Sequence, residues 1–200
     1  IYHGGEIQVE KDLEQAHFAL AFETPGYLDE SIYTSQIYSI ALGGGMSSRL
    51  FQEIREKRGL CYTIFAQGGA YSDTGLLTIY SGTSSENLKD LSNITISEMK
   101  RAAIDFEQAE LDRSRVQMKA GMLMGLESAS SRAERLARML IICNRIPSLD
   151  EVVKKIDAVN LEEVRNFAQN VIRDKKPTLS TYGPVSNVIS FNELTDMLAA

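Results

Sequence analysis

Arg55 and Tyr62 stand seven positions apart at the end of a charged segment, Phe51-Gln52-Glu53-Ile54-Arg55-Glu56-Lys57-Arg58-Gly59-Leu60-Cys61-Tyr62. A guanidinium can hold a carbonyl oxygen, and a phenol hydroxyl can donate to an oxyanion as it forms. Both are preorganised electrostatic roles. By residue type alone a plainer reading is favoured, with Arg55 solvated on a helix and Tyr62 half-buried in a sheet. Other chemistry is thinly supplied. The two histidines, His3 and His17, belong to no H-x-x-E-H or H-E-x-x-H pattern. Hydrolysis on zinc needs several ligands converging on one ion and a carboxylate to activate the water. Two isolated histidines do not supply this, so no metal ligand is expected in this chain. His17, inside an apolar run, reads as a satisfied core histidine.

Cys61 is a weak nucleophile candidate, because a thiolate needs a nearby base, usually histidine. Strand alternation also sends Cys61 and Tyr62 to opposite faces, so a cleft-facing Tyr62 leaves Cys61 against the helices. No G-x-S-x-G elbow occurs. The glycines Gly43-Gly44-Gly45 are not followed by the Lys and Ser/Thr of a phosphate-binding loop.

The elements that must position Arg55 and Tyr62 follow from periodicity. Glu6–Glu10 alternates as a strand, and the nearly all-apolar His17–Phe22 reads as a central strand buried on both faces. Asp29–Leu42 has a helical apolar stripe, closed by the three glycines through their backbone freedom. Ser47 or Ser48 is expected to cap the next helix, with Leu50, Phe51 and Ile54 as its stripe and Gly59 as its stop. Cys61–Gln67 and Leu76–Ser81 read as a hairpin.

Capping-box spacings at Thr83/Glu86 and Asp105/Gln108 open a helix near Ser84–Ala103 and a long helical region to about Cys143, bent near Ser128–Ser131. Its methionines Met118, Met122, Met124 and Met139 read as adaptable core filling. Ser148/Glu151 and Asn160/Glu163 start two short helices, Lys176–Tyr182 is a last strand, and Phe191–Ala199 a last helix. The pattern is α+β: a largely antiparallel sheet with helices packed on one face, in a single domain over residues 1–200.

Composition narrows the function classes. Hydrophobic residues make 44% and charged residues 24%, as in ordinary globular proteins. With 21 basic against 27 acidic side chains and no basic stripe, nucleic acid is not an expected partner. No apolar run approaches the roughly 18 residues that span a bilayer, and no signal peptide is visible. The start at Ile1 suggests a processed product or a piece of a longer one. Two cysteines in apolar contexts favour free thiols in a reducing compartment. The leaning is towards bacterial cytoplasm, with mitochondrial matrix and periplasm open.

The Phe51–Tyr62 segment resembles the helix-to-strand passage in the C-terminal half of the pitrilysin-type (M16) zinc peptidases, which include mitochondrial processing peptidase and insulin-degrading enzyme. The opening Tyr2–Glu6 with Asp12–His17, the region Gln108–Met139 and the strand Thr178–Gly183 fit the same half. The resemblance implies that Arg55 and Tyr62 reach across to a zinc site carried by a homologous half. It implies zinc in that partner half and none here, because the inverted zinc motif is absent. The expected function is that of a zinc-free half, not catalytic alone, which binds peptide substrate and completes the active site. The expected partners are a zinc-bearing N-terminal half, fused or separate, and the peptide; a dimer is left open. The alternative is a non-catalytic scaffold or core subunit of the same fold family. A nucleotide-binding domain carries no positive motif.

Overall fold

The computed structural model describes residues 2–200. Five strands form one sheet: β1 (Gly5–Glu10), β2 (Ala16–Thr24), β3 (Cys61–Ala70), β4 (Gly75–Thr83) and β5 (Pro177–Gly183). Their order is β1-β5-β2-β4-β3. β1 is parallel to β5, and every other neighbouring pair is antiparallel. The strand nearest the C-terminus therefore lies between the first two. The helices are α1 (Ile32–Gly43), α2 (Leu88–Asp105), α3 (Gln108–Gly125), α4 (Ala129–Cys143), α5 (Leu149–Ala158), α6 (Leu161–Asp174) and α7 (Phe191–Ala199). The α+β architecture with a mostly antiparallel sheet is as the periodicities indicate. Among the described residues no helix is long and apolar enough to cross a membrane.

The core lies on one side of the sheet. Phe18, Leu20 and Phe22 of β2, Leu77 and Ile79 of β4 and Leu179 of β5 are fully buried. They meet Ile37, Tyr38 and Leu42 of α1, Leu88, Leu91 and Met99 of α2, and Val164 and Ala168 of α6. Each such apolar side chain contributes about 1.5–3 kcal/mol when buried. The other side of the sheet differs from expectation. His17, Ala19, Ala21 and Glu23 alternate with the buried positions and are only half-buried. β2 is thus central in the sheet but packed on one face; the small Ala19 and Ala21 account for the apolar run without a second layer. His17 is correspondingly not a core residue. It sits on the open face, with Nδ1 2.8 Å from the Tyr80 hydroxyl.

Local starts and stops were partly misplaced by spacing alone. Ser148 and Asn160 do cap α5 and α6, and Asn160 with Glu163 forms a complete capping box. The break before α4 falls at Ser128, which caps it. Thr83, however, is the last residue of β4, and its hydroxyl donates to the Leu60 carbonyl. Asp105 closes α2 instead of capping α3, because Arg49 recruits its carboxylate at 2.6 Å. The box that opens α3 is Glu107 with Glu110. α1 begins at Ile32, since the Asp29 carboxylate takes the Ser31 backbone and hydroxyl donors just ahead of it. Of the four methionines, Met139 is buried and Met118 and Met122 are packed against the core, but Met124 is 64% exposed.

The triple glycine serves packing. None of the three has a positive φ. A Cβ on Gly43 would lie 2.2 Å from the Ala66 nitrogen of β3. Bare backbone at this point lets the end of α1 press on β3.

Candidate functional site at Arg55 and Tyr62

Between α1 and β3 the chain makes a π-helical turn, Phe51–Glu56. Leu50 and Ile54 anchor it as fully buried side chains. The expected serine cap is not made; the Ser48 hydroxyl donates to the Gly45 carbonyl at 2.6 Å. The wide turn shows in its bonds: Lys57 N–H reaches the Gln52 carbonyl, and Leu60 N–H the Ile54 carbonyl, each at 3.0 Å. Extra residues of this kind within a helix are frequent where a side chain must be re-aimed. Gly59 then reverses the chain at φ +63°, the left-handed stop that its identity suggested.

β3 starts under equally firm control. The Leu60 carbonyl accepts from the Thr83 hydroxyl and, at 3.3 Å, from Asn87 Nδ2. The register with β4 slips between Cys61 and Thr63, so Tyr62 is the extra residue of a β-bulge. Cys61 points into the helical layer and is buried, and burial pushes its thiol up. Tyr62 points out and is 78% exposed. The opposite facing of this pair is as strand alternation demands; the half-burial expected of Tyr62 is not found.

π-turn, glycine reversal and bulge together bring the two predicted residues side by side. The Arg55 guanidinium carbon is 5.4 Å from the centre of the Tyr62 ring and 4.6 Å from that of Phe51. The cation is thus held between two aromatic faces. Glu53, the acid nearest in sequence on its N-terminal side, is engaged by Lys57 and Arg58, whose hydrogen bonds hold its carboxyl below the usual range. Arg49 ties the start of the segment to the α2–α3 junction. It pairs with Asp105 and Glu110, each at 2.6 Å, and its guanidinium lies over the Phe106 ring.

Phe51 was read only as part of an apolar stripe, and its ring contact with Arg55 was missed. The two stand four residues apart, so helical i, i+4 spacing was the signal that could have found the contact. Also unanticipated is an aromatic group on the open face, with Phe65 and Tyr80 ring centres 5.2 Å apart and His17 against both Tyr80 and Tyr182. Its sequence signal was the outward half of the β2, β3 and β4 alternation.

The donor set for a metal is poor. Among the described residues no three His, Cys, Asp or Glu side chains are grouped as a metal ion would require. His17 is engaged by Tyr80, and His3 is exposed near the chain start.

Residues 2–118, which contain the π-turn, the bulge and both predicted residues, match the family described as the peptidase M16 inactive domain. The chain belongs to this M16 family. Curated relatives of this M16 inactive domain are named as zinc proteases. One from Bacillus subtilis, the uncharacterized zinc protease YmxG, is 35% identical over 192 residues, covering 94% of this chain and 46% of the relative. Another, from Rickettsia bellii, is 34% identical over 184 residues, covering 92% and 44%. The chain therefore spans less than half the length of the curated relatives it matches. Two solved structures share the fold at 19% identity. A chain of complex III2 from Candida albicans, Inz-5 bound, has a TM-score of 0.90 over 99% of this chain and 50% of its own. A conserved protein from Enterococcus faecalis V583 has a TM-score of 0.78 over 94% and 43%.

Proposed function

We propose that this M16 inactive domain is the zinc-free half of a zinc metallopeptidase. It binds peptide substrate and completes the active site of a zinc-bearing half, fused or separate, with residues 1–200 acting as one unit. The observation that carries this reading is the stacking of Arg55 between Phe51 and an exposed Tyr62, at 4.6 and 5.4 Å. Two ring contacts hold a cation without neutralising it, and a phenol hydroxyl stands beside it on an exposed side chain.

The roles are those the family resemblance implies, and this geometry supports them. Arg55 holds the carbonyl of the bound peptide through its N–H donors. Tyr62 donates its hydroxyl proton in a hydrogen bond to the oxygen that gains charge in the tetrahedral intermediate. A donor already in place costs no reorganisation as that charge develops. Zinc, held in the partner half, would supply activation of the attacking water.

The test is Tyr62→Phe in the complete two-half protein. Peptide turnover falls by about 10²–10³-fold, with zinc content unchanged. Unaltered turnover overturns the role of Tyr62. If neither the full-length polypeptide nor a co-purifying chain carries a zinc motif, the scaffold reading takes its place.

A further inference from the structure

β3 is an edge strand of ten residues, Cys61–Ala70, and among the described residues no strand pairs with its outer side. Natural sheets protect such edges with lysines, prolines or inward charges, because a row of unpaired N–H and C=O groups templates another strand. β3 has none of these: Cys-Tyr-Thr-Ile-Phe-Ala-Gln-Gly-Gly-Ala carries neither a charge nor a proline. The opposite edge, β1, carries Glu6 and Glu10. On the open face β3 is also more accessible than its neighbour β4. On β4 the outward residues Leu76, Thr78 and Tyr80 are half-buried, whereas Thr63, Phe65 and Gln67 of β3 are exposed.

We infer that the outer edge of β3 is a binding subsite for an extended, uncharged peptide segment, which adds to the sheet as a sixth strand. The inference rests on the peptide-binding reading above and deepens it. Only an extended backbone can satisfy a row of strand donors and acceptors, and an uncharged edge favours an uncharged segment. The ladder begins beside Tyr62, the bulged residue at the head of β3. A peptide whose reacting carbonyl lies at Tyr62 therefore runs along Thr63–Gly69 on one side of the scissile bond, for about seven residues or roughly 23 Å. Main-chain bonds supply affinity, and alternate side chains supply selectivity. The peptide residue opposite Phe65 meets the Phe65–Tyr80 ring pair, whose centres are 5.2 Å apart. Aromatic and β-branched residues are favoured there, and acidic ones disfavoured.

The experiment uses the complete two-half protein and acetylated, amidated peptides alternating threonine and valine, of increasing length. Hydrogen exchange is followed in the Tyr62→Phe protein with and without peptide. The alternate amides of residues 63–69 that point away from β4 gain protection with peptide, and in the unsubstituted protein KM falls with peptide length to a plateau near seven residues on one side. Gln67→Lys, which puts a charge on the edge, raises KM about tenfold, while Ile7→Thr on β1 does not. Protection confined to other segments, or KM independent of length, overturns the subsite. So does protection of β3 that depends on protein concentration without peptide, which would mean that two copies pair their edges. Because exchange requires no turnover, loss of the subsite is separable from loss of the catalytic role of Tyr62.

Discussion

Arg55 and Tyr62 lie 5.4 Å apart, guanidinium carbon to ring centre, across a π-turn, a left-handed glycine and a β-bulge. Seven residues of regular α-helix would also have put two side chains on nearly the same face. Here the same proximity is reached through three departures from regular structure. Each holds a backbone in a less common arrangement, and each is fixed by buried or hydrogen-bonded neighbours. Such departures cluster where a side chain must be aimed.

Phe51 is the inner wall of this arrangement. Removing its ring frees the Arg55 guanidinium on one side. Phe51→Leu should lower turnover of the complete protein about two- to fivefold, the worth of one cation–π contact at an accessible site. Phe51→Tyr keeps the ring and should restore turnover. Equal loss in both variants would show that the ring face is not what matters. Arg55→Lys should be more damaging than either, since a lysine presents no planar fork to a carbonyl.

Two glycines should respond differently to alanine. At Gly59 a Cβ meets nothing within 4 Å, so only the φ of +63° opposes it. Gly59→Ala should cost about 1–2 kcal/mol, and Gly59→Asn less. At Gly43 a Cβ would fall 2.2 Å from the Ala66 nitrogen, so α1 must move off β3. Gly43→Ala should be the more destabilising, by at least about 1–3 kcal/mol. Urea midpoints of the variants give the order, and the reverse order would contradict the close approach of α1.

Arg49 makes the strongest ionic contacts near the site. Its side chain is 10% exposed, and that of Glu110 12%. Arg49→Ala leaves the Glu110 carboxylate buried without its partner, and should destabilise by about 3–5 kcal/mol. Replacing both, as Arg49→Met with Glu110→Gln, which keeps an acceptor for the Glu107 N–H of the capping box, should recover much of this. A small effect of Arg49→Ala on the urea midpoint would mean that water reaches the pair.

Glu98 on α2 gives a pH dependence. Burial pushes its carboxyl up, opposed by the hydrogen bond and charge of Arg101. The folded chain therefore holds this proton to higher pH than the unfolded chain does. The contribution of Glu98 to stability is full below the ordinary glutamate value of about 4.3 and is lost as pH rises through the raised folded value. Glu98→Gln imitates the protonated form at every pH. Its melting temperature should exceed that of the unsubstituted chain near pH 7, with the gap closing on acidification below pH ~4. A lower melting temperature for the variant at pH 7 would show that the Arg101 pair outweighs burial.

Much of this molecule is written in short stretches of chain. Alternation marks β1, β3 and β4. Ser148 and Asn160 cap the helices that follow them, Gly59 ends the π-turn, and Cys61 and Tyr62 face opposite ways. These features are local because a residue and its near neighbours decide them through backbone sterics, capping bonds and side-chain direction. The pairing of Arg55 with Tyr62 was also named from sequence, through family likeness and not through geometry. What the tertiary structure alone decided is which surfaces meet. β5 enters between β1 and β2, joining segments more than 150 residues apart, as in the pairing of Gly5 with Thr178. Asp105 leaves its predicted cap for Arg49, and Thr83 leaves its cap for the Leu60 carbonyl. β2 buries one face only, so His17 lies with Tyr80 in the open. Phe51 and Arg55 are i, i+4 neighbours on any helix, but only the folded chain sets the Tyr62 ring against the same guanidinium. Local rules leave such choices open, because several partners satisfy the same capping or burial demand. The packing of distant segments selects among them.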